Sequence, residues 1–110
     1  FLDVHDYPTY DWSGGYETFR SGTPVFTTFS DMAIAAIQAF APEADRGRIK
    51  VVVSETGAFD WVGTWANRND AGHALVLFDI IGQHLRRPEI DFVQYWNTRW
   101  ISFIRAMDQI

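Results

Sequence analysis

Ile49-Lys50-Val51-Val52-Val53-Ser54-Glu55-Thr56-Gly57 is the stretch whose reading decides the fold. A β-branched run ends in one carboxylate, and a glycine there lets the chain turn away. Strands buried on both faces of a parallel sheet read as continuous Val/Ile runs, whereas half-exposed antiparallel strands alternate. Open α/β sheets and (β/α)8 barrels both place their chemistry at the carboxyl ends of such strands. Glu55 occupies that position and is the first candidate functional residue.

Working outward, Phe1 to Tyr7 reads as a strand stopped by Pro8, which cannot continue a central ladder. Alternation puts Asp3, His5 and Tyr7 on one face, toward a site, and Leu2 and Val4 on the other, toward helices. Thr9 to Thr27 reads as a long loop rich in Gly and aromatics, the kind that forms lids and binding loops. Ser30 or Asp31 is placed to cap a helix running to about Phe40, with Met32, Ala35, Ala36, Ile37 and Phe40 as its buried stripe. Glu43 to Arg48 is expected to be a charged, solvated connector. Beyond Glu55, Thr56 to Asn69 forms a second long loop carrying Trp61 and Trp65.

Asn69 or Asp70 then caps a helix to about Arg87, with Ala74, Leu75, Phe78, Ile81, Gly82 and Leu85 on its apolar face. His73 and His84 lie on it too far apart for an i, i+4 metal pair. Glu89 to Trp96 is the third strand, followed by Asn97-Thr98-Arg99-Trp100, and Ile101 to Ile110 opens a further helix. Strand and helix alternate throughout, which predicts an α/β chain with a parallel sheet and right-handed crossovers.

Composition narrows the function classes. A net charge of −5 argues against nucleic-acid binding, which needs a basic patch. The chain has no cysteine, so disulfides and thiol catalysis are excluded. No apolar run approaches the roughly 20 residues that span a bilayer. At 110 residues there is room for one domain with a core, but not for a complete (β/α)8 barrel of about 250 residues. Five Trp are a surplus suited to flat sugar-stacking faces as well as to the core.

The three strand ends thus offer His5 and Tyr7, then Glu55, then Trp96. A retaining glycosidase needs such a set: a nucleophilic carboxylate, a Tyr hydroxyl that aims it, and an indole under the sugar ring. The succession His5-Asp6-Tyr7, Val51-Val52-Val53-Ser54-Glu55-Thr56-Gly57 and Val93-Gln94-Tyr95-Trp96-Asn97 resembles strands six, seven and eight of the retaining glycoside hydrolases of clan A. Asn69-Asp70-Ala71-Gly72-His73-Ala74, leading to the third strand, is most similar to the arabinofuranosidase-, xylosidase- and agarase-like branches.

The resemblance implies that residues 1–110 are a single partial catalytic domain, the last three units of a TIM barrel. It makes Glu55 the nucleophile, Tyr7 its orienting partner, His5 an assistant at the same subsite and Trp96 the stacking platform. Asn97, Arg99, Trp61 and Trp65 become candidate substrate contacts. The substrate would be a plant or algal polysaccharide, with no metal or cofactor, and the protein would be extracellular. The clan's acid/base Glu lies on a fourth strand, which would precede Phe1. Asp3, Asp6 and Asp60 are the remaining carboxyls that could stand near the site. The chain alone is therefore expected to be an incomplete fragment, prone to pair with itself or with the missing barrel part through open sheet edges. The alternative is a non-catalytic carbohydrate-binding or interaction module that uses its aromatic loops. For Glu55 the plainer reading is a solvated loop-start carboxylate or one half of an ion pair with Arg68 or Arg99.

Overall fold

A computed structural model describes residues 1–8, 15–22, 24–57 and 71–96. Three strands, β1 (Leu2–Asp6), β2 (Val51–Thr56) and β3 (Ile90–Tyr95), form a parallel sheet in the order β1-β2-β3. Four helices connect them: α1 (Gly15–Ser21), α2 (Thr28–Phe40), α3 (Glu43–Arg46) and α4 (Ala71–Leu85). The architecture is α/β, with strands and helices alternating as a βαβαβ unit. None of the described helices is long and apolar enough to cross a membrane.

The central strand is the Val-rich run. With a hydrogen-bonded neighbour on each side, β2 buries Val51, Val52 and Val53 in succession, which explains why no alternation shows there. Val51, Val53 and Ile90 join Ala33 and Ile37 of α2 in the core, with Val4 and Val93 packed against it. Asp3, His5, Asp91, Phe92 and Gln94 remain exposed.

Two connections are more ordered than the sequence suggests. The predicted Thr9–Thr27 loop contains helix α1, and the predicted connector contains the single turn α3. Seven residues are marginal for a helix in isolation. Packing holds this one, since the Phe19 ring stacks on buried Phe26 at 6.0 Å.

The helix faces also differ from expectation. On α2 the buried residues are Ser30, Ala33 and Ile37, whereas Met32 and Phe40 are exposed and Ala35 faces outward. Neither Ser30 nor Asp31 caps the helix. It begins two residues before Ser30, and the Thr27 hydroxyl instead donates to Asp31 Oδ2 at 2.9 Å. On α4 the buried line is Val76, Ile80 and His84, and the predicted Ala74, Leu75, Phe78 and Leu85 are exposed. Both helices carry apolar residues around more than half of their circumference, so periodicity alone does not select the face that meets the sheet.

Candidate functional site at the strand ends

The register of β2 decides which way Glu55 points. Val4 pairs with Val53, but the next residue, His5, pairs with Glu55 rather than with Ser54. The ladder to β3 slips over the same two residues, passing from Val53↔Val93 to Thr56↔Tyr95. Ser54-Glu55 is therefore a bulge in the central strand. Bulges near sites re-aim a side chain at the end of a ladder. Here the bulge places Glu55 directly beside His5, and it returns Thr56 to the buried face beside Asp6.

Two groups converge on the Glu55 carboxylate. The Tyr7 hydroxyl donates to Oε2 at 3.2 Å, and His5 Nδ1 lies 3.2 Å from the same oxygen. Among the described residues both contacts fall on Oε2, so Oε1 is left to meet something outside the cluster. The side chain of His5 is 55% exposed and that of Glu55 27%, so the pair is wet and accessible. An exposed pair of this kind adds little to stability, and its interest lies in geometry. For Tyr7, burial foremost, then the negative charge of Glu55 and the hydrogen bond to it, push the phenol well above its usual value. It remains a hydrogen donor at any ordinary pH.

Aromatic groups wall the cluster. The Trp96 ring meets Tyr7 edge-on, with centroids 6.3 Å apart at 88°. The Trp96 backbone N–H donates to the Thr56 carbonyl at 3.0 Å, which fixes where the indole leaves β3. Burial raises the Tyr95 phenol to about 12. Gly57 lies between the two phenol rings, where an added Cβ would be 3.3 Å from Tyr95 Cε2 and 3.7 Å from Tyr7 Cε1. Its backbone is not in the left-handed region. The glycine thus gives close approach to the rings.

Asp6, considered above as a stand-in for the acid/base carboxyl, is not available for that work. It is fully buried on the helix side. Its Oδ2 accepts from the Ser30 N–H at 2.8 Å and the Ser30 hydroxyl at 2.7 Å, and it lies 3.1 Å from His84 Nε2. Asp3 is exposed beside Val52, two residues earlier along β1 than His5. At about 3.3 Å per residue it is roughly 7 Å back from the site along the strand.

The sheet therefore brings His5, Tyr7, Glu55 and Trp96 together. Trp61, Trp65, Asn97, Arg99, Arg68 and Asp60 lie outside the described residues, as do the expected Asn69 or Asp70 cap and the helix from Ile101. Sequence reasoning missed Thr56, whose hydroxyl donates to the Asp6 carbonyl at 2.7 Å while its own carbonyl holds Trp96. It missed the bulge as well, because nothing in Val-Ser-Glu-Thr marks one. Tyr95 was visible only as a strand residue. Among the described residues, no three His, Asp or Glu gather in a way that could hold a metal ion.

Compared with known proteins, the chain matches no protein-family model, no curated protein and no solved structure.

Proposed function

We propose that the chain is the C-terminal part of a (β/α)8 barrel and that its parent is a retaining glycoside hydrolase with Glu55 as nucleophile. The observation that supports this most is the shared target of Tyr7 and His5, both on Glu55 Oε2, at the carboxyl ends of parallel strands. Such a carboxylate has one oxygen tethered and one free for attack. In the reaction Glu55 Oε1 attacks the anomeric carbon as the glycosidic oxygen departs with a proton from the second carboxyl group. Water then cleaves the glycosyl ester with overall retention. Tyr7 holds the carboxylate through attack, and Trp96 gives the sugar ring an apolar face. The second carboxyl, about 5–5.5 Å from the first in retaining enzymes, would come from the rest of the barrel. The resemblance suggests a plant or algal polysaccharide as substrate.

Glu55→Ala in the full-length protein tests the reading. The variant should lose turnover, and added azide should restore cleavage by giving the glycosyl azide of inverted configuration. Unchanged hydrolysis in Glu55→Ala refutes it. Sugar binding that survives loss of Glu55 but not of Trp96, with no hydrolysis by the parent, would instead assign the chain to non-catalytic carbohydrate binding.

A further inference from the structure

Asp6 stands between His5 and Tyr7 in the sequence, and successive strand residues leave on opposite faces. Its side chain is buried among helices while its neighbours reach Glu55. We propose that Asp6 is the positioning residue of the strand-end site, locking the end of β1 to α2 and α4 so that His5 and Tyr7 are both aimed at Glu55.

Three features support the lock. First, the Ser30 N–H belongs to the first turn of α2, where backbone donors have no partner within the helix, and Asp6 supplies one from another element. A carboxylate is also the charge that a helix N-terminus favours. Second, His84 lies in the last turn of α4, where the dipole favours a cation. Its Nδ1 faces the Ile80 carbonyl at 2.8 Å and its Nε2 faces Asp6. A carbonyl can only accept, so Nδ1 is the donor to Ile80, which leaves Nε2 as the atom facing Asp6. Third, the Asp6 carbonyl accepts from Thr56, which ties the same point to the residue after Glu55.

Burial opposes ionisation of Asp6, yet the hydrogen bonds from His84 and Ser30 outweigh it and hold the carboxyl below its usual value. Among the described residues, the charged groups around the lock are few. His84 faces Asp6 from α4, and the Arg87–Asp31 ion pair lies beside it, joining the end of α4 to α2, with Glu89 near Arg87. The lock explains why a polar cluster with no access to substrate sits beneath the site. The proposal rests on the glycosidase reading for what Glu55 does, but not for how Glu55 is held.

The test is an NMR measurement of through-space contacts between the Tyr7 ring and the Trp96 indole, in the wild type, Asp6→Asn, Ser30→Ala and His84→Gln. Val53→Ala serves as a control that weakens the core without touching the lock. The expected result is loss of the Tyr7–Trp96 contacts in folded Asp6→Asn, partial weakening in Ser30→Ala and His84→Gln, and intact contacts in Val53→Ala. In the wild type the contacts should also fade as pH falls below the usual carboxylate range. Intact contacts in both Ser30→Ala and His84→Gln overturn the proposal, whether or not Asp6→Asn folds. Weakening in Val53→Ala equal to that in the lock variants also overturns it, because the effect is then one of stability alone. Neither outcome depends on hydrolysis, so failure of the glycosidase reading is seen separately in the turnover of Glu55→Ala.

Discussion

Thr56 illustrates how much one buried hydroxyl residue can join: its side chain holds the end of β1 and its carbonyl holds the first residue past β3. Thr56→Val keeps the shape and removes the hydroxyl donor. The Asp6 carbonyl loses that bond in a dry place, at a cost of about 1–3 kcal/mol, measurable by denaturant unfolding. Tyr7→Phe removes the donor to Glu55. A hydrogen bond to a charged group contributes about 1.5–3 kcal/mol, so on the proposed glycosidase reading hydrolysis by the full-length protein should slow by roughly ten- to a hundredfold. An unchanged kcat would show that the Tyr7 bond does not act in the reaction. Acid provides a third residue-scale prediction. The pKa of Asp6 is lowered on folding, so its contribution to stability is present above the unfolded value near 3.8 and is lost as pH falls through the lower folded value. Unfolding followed against pH should show acid destabilisation below about pH 4, much reduced in Asp6→Asn.

At the scale of elements, α4 separates what sequence can and cannot disclose. Leu75, Val76, Leu77, Phe78, Ile80, Ile81 and Leu85 are apolar and surround the helix, so its existence was legible while its buried face was not. The selector is the His84–Asp6 pair, a contact between residues 78 apart in the chain. That pair turns Val76 and Ile80 inward with it. Ile80→Ala should therefore cost about 2–5 kcal/mol, and exposed Phe78→Ser about 0.5 kcal/mol or less. Chemical denaturation of the two variants distinguishes this face from the one that periodicity suggested. The strands were more legible. A continuous Val run, the alternation in Phe1–Tyr7 and the strand–helix order follow from local rules, and the parallel order β1-β2-β3 agrees with them. The bulge at Ser54-Glu55 was hidden, because register is set by two neighbouring strands and not by the residues that slip. Helix α1 was hidden for a related reason, as the Phe19–Phe26 stack and its packing on α4 involve residues outside the helix itself.

For the whole molecule, α2 and α4 pack on the sheet, while Asp3, His5 and Phe92 on its strands stay exposed. Parallel sheets occur almost only with both faces covered. Phe1 just before β1, Phe92 on β3, Met32 and Phe40 on α2, and Leu75 and Phe78 on α4 are all exposed. Among the described residues β1 and β3 each pair only with β2, which makes both of them edge strands there. Edge strands invite association. Light scattering on the 110-residue chain should find dimers or larger species that grow with concentration. A monomer at high concentration would show that these edges are already protected. A barrel completed by further strands would close both edges and cover the exposed strand residues with its remaining interior. It would also bring a second carboxyl opposite Glu55. The most direct test of that account is covalent. The full-length protein would be treated with an activated 2-deoxy-2-fluoro glycoside and its peptides mapped by mass spectrometry. The account predicts a glycosyl ester on Glu55, lost in Glu55→Gln. An ester on any other residue, or a parent enzyme that hydrolyses with inversion and forms no ester, would contradict it.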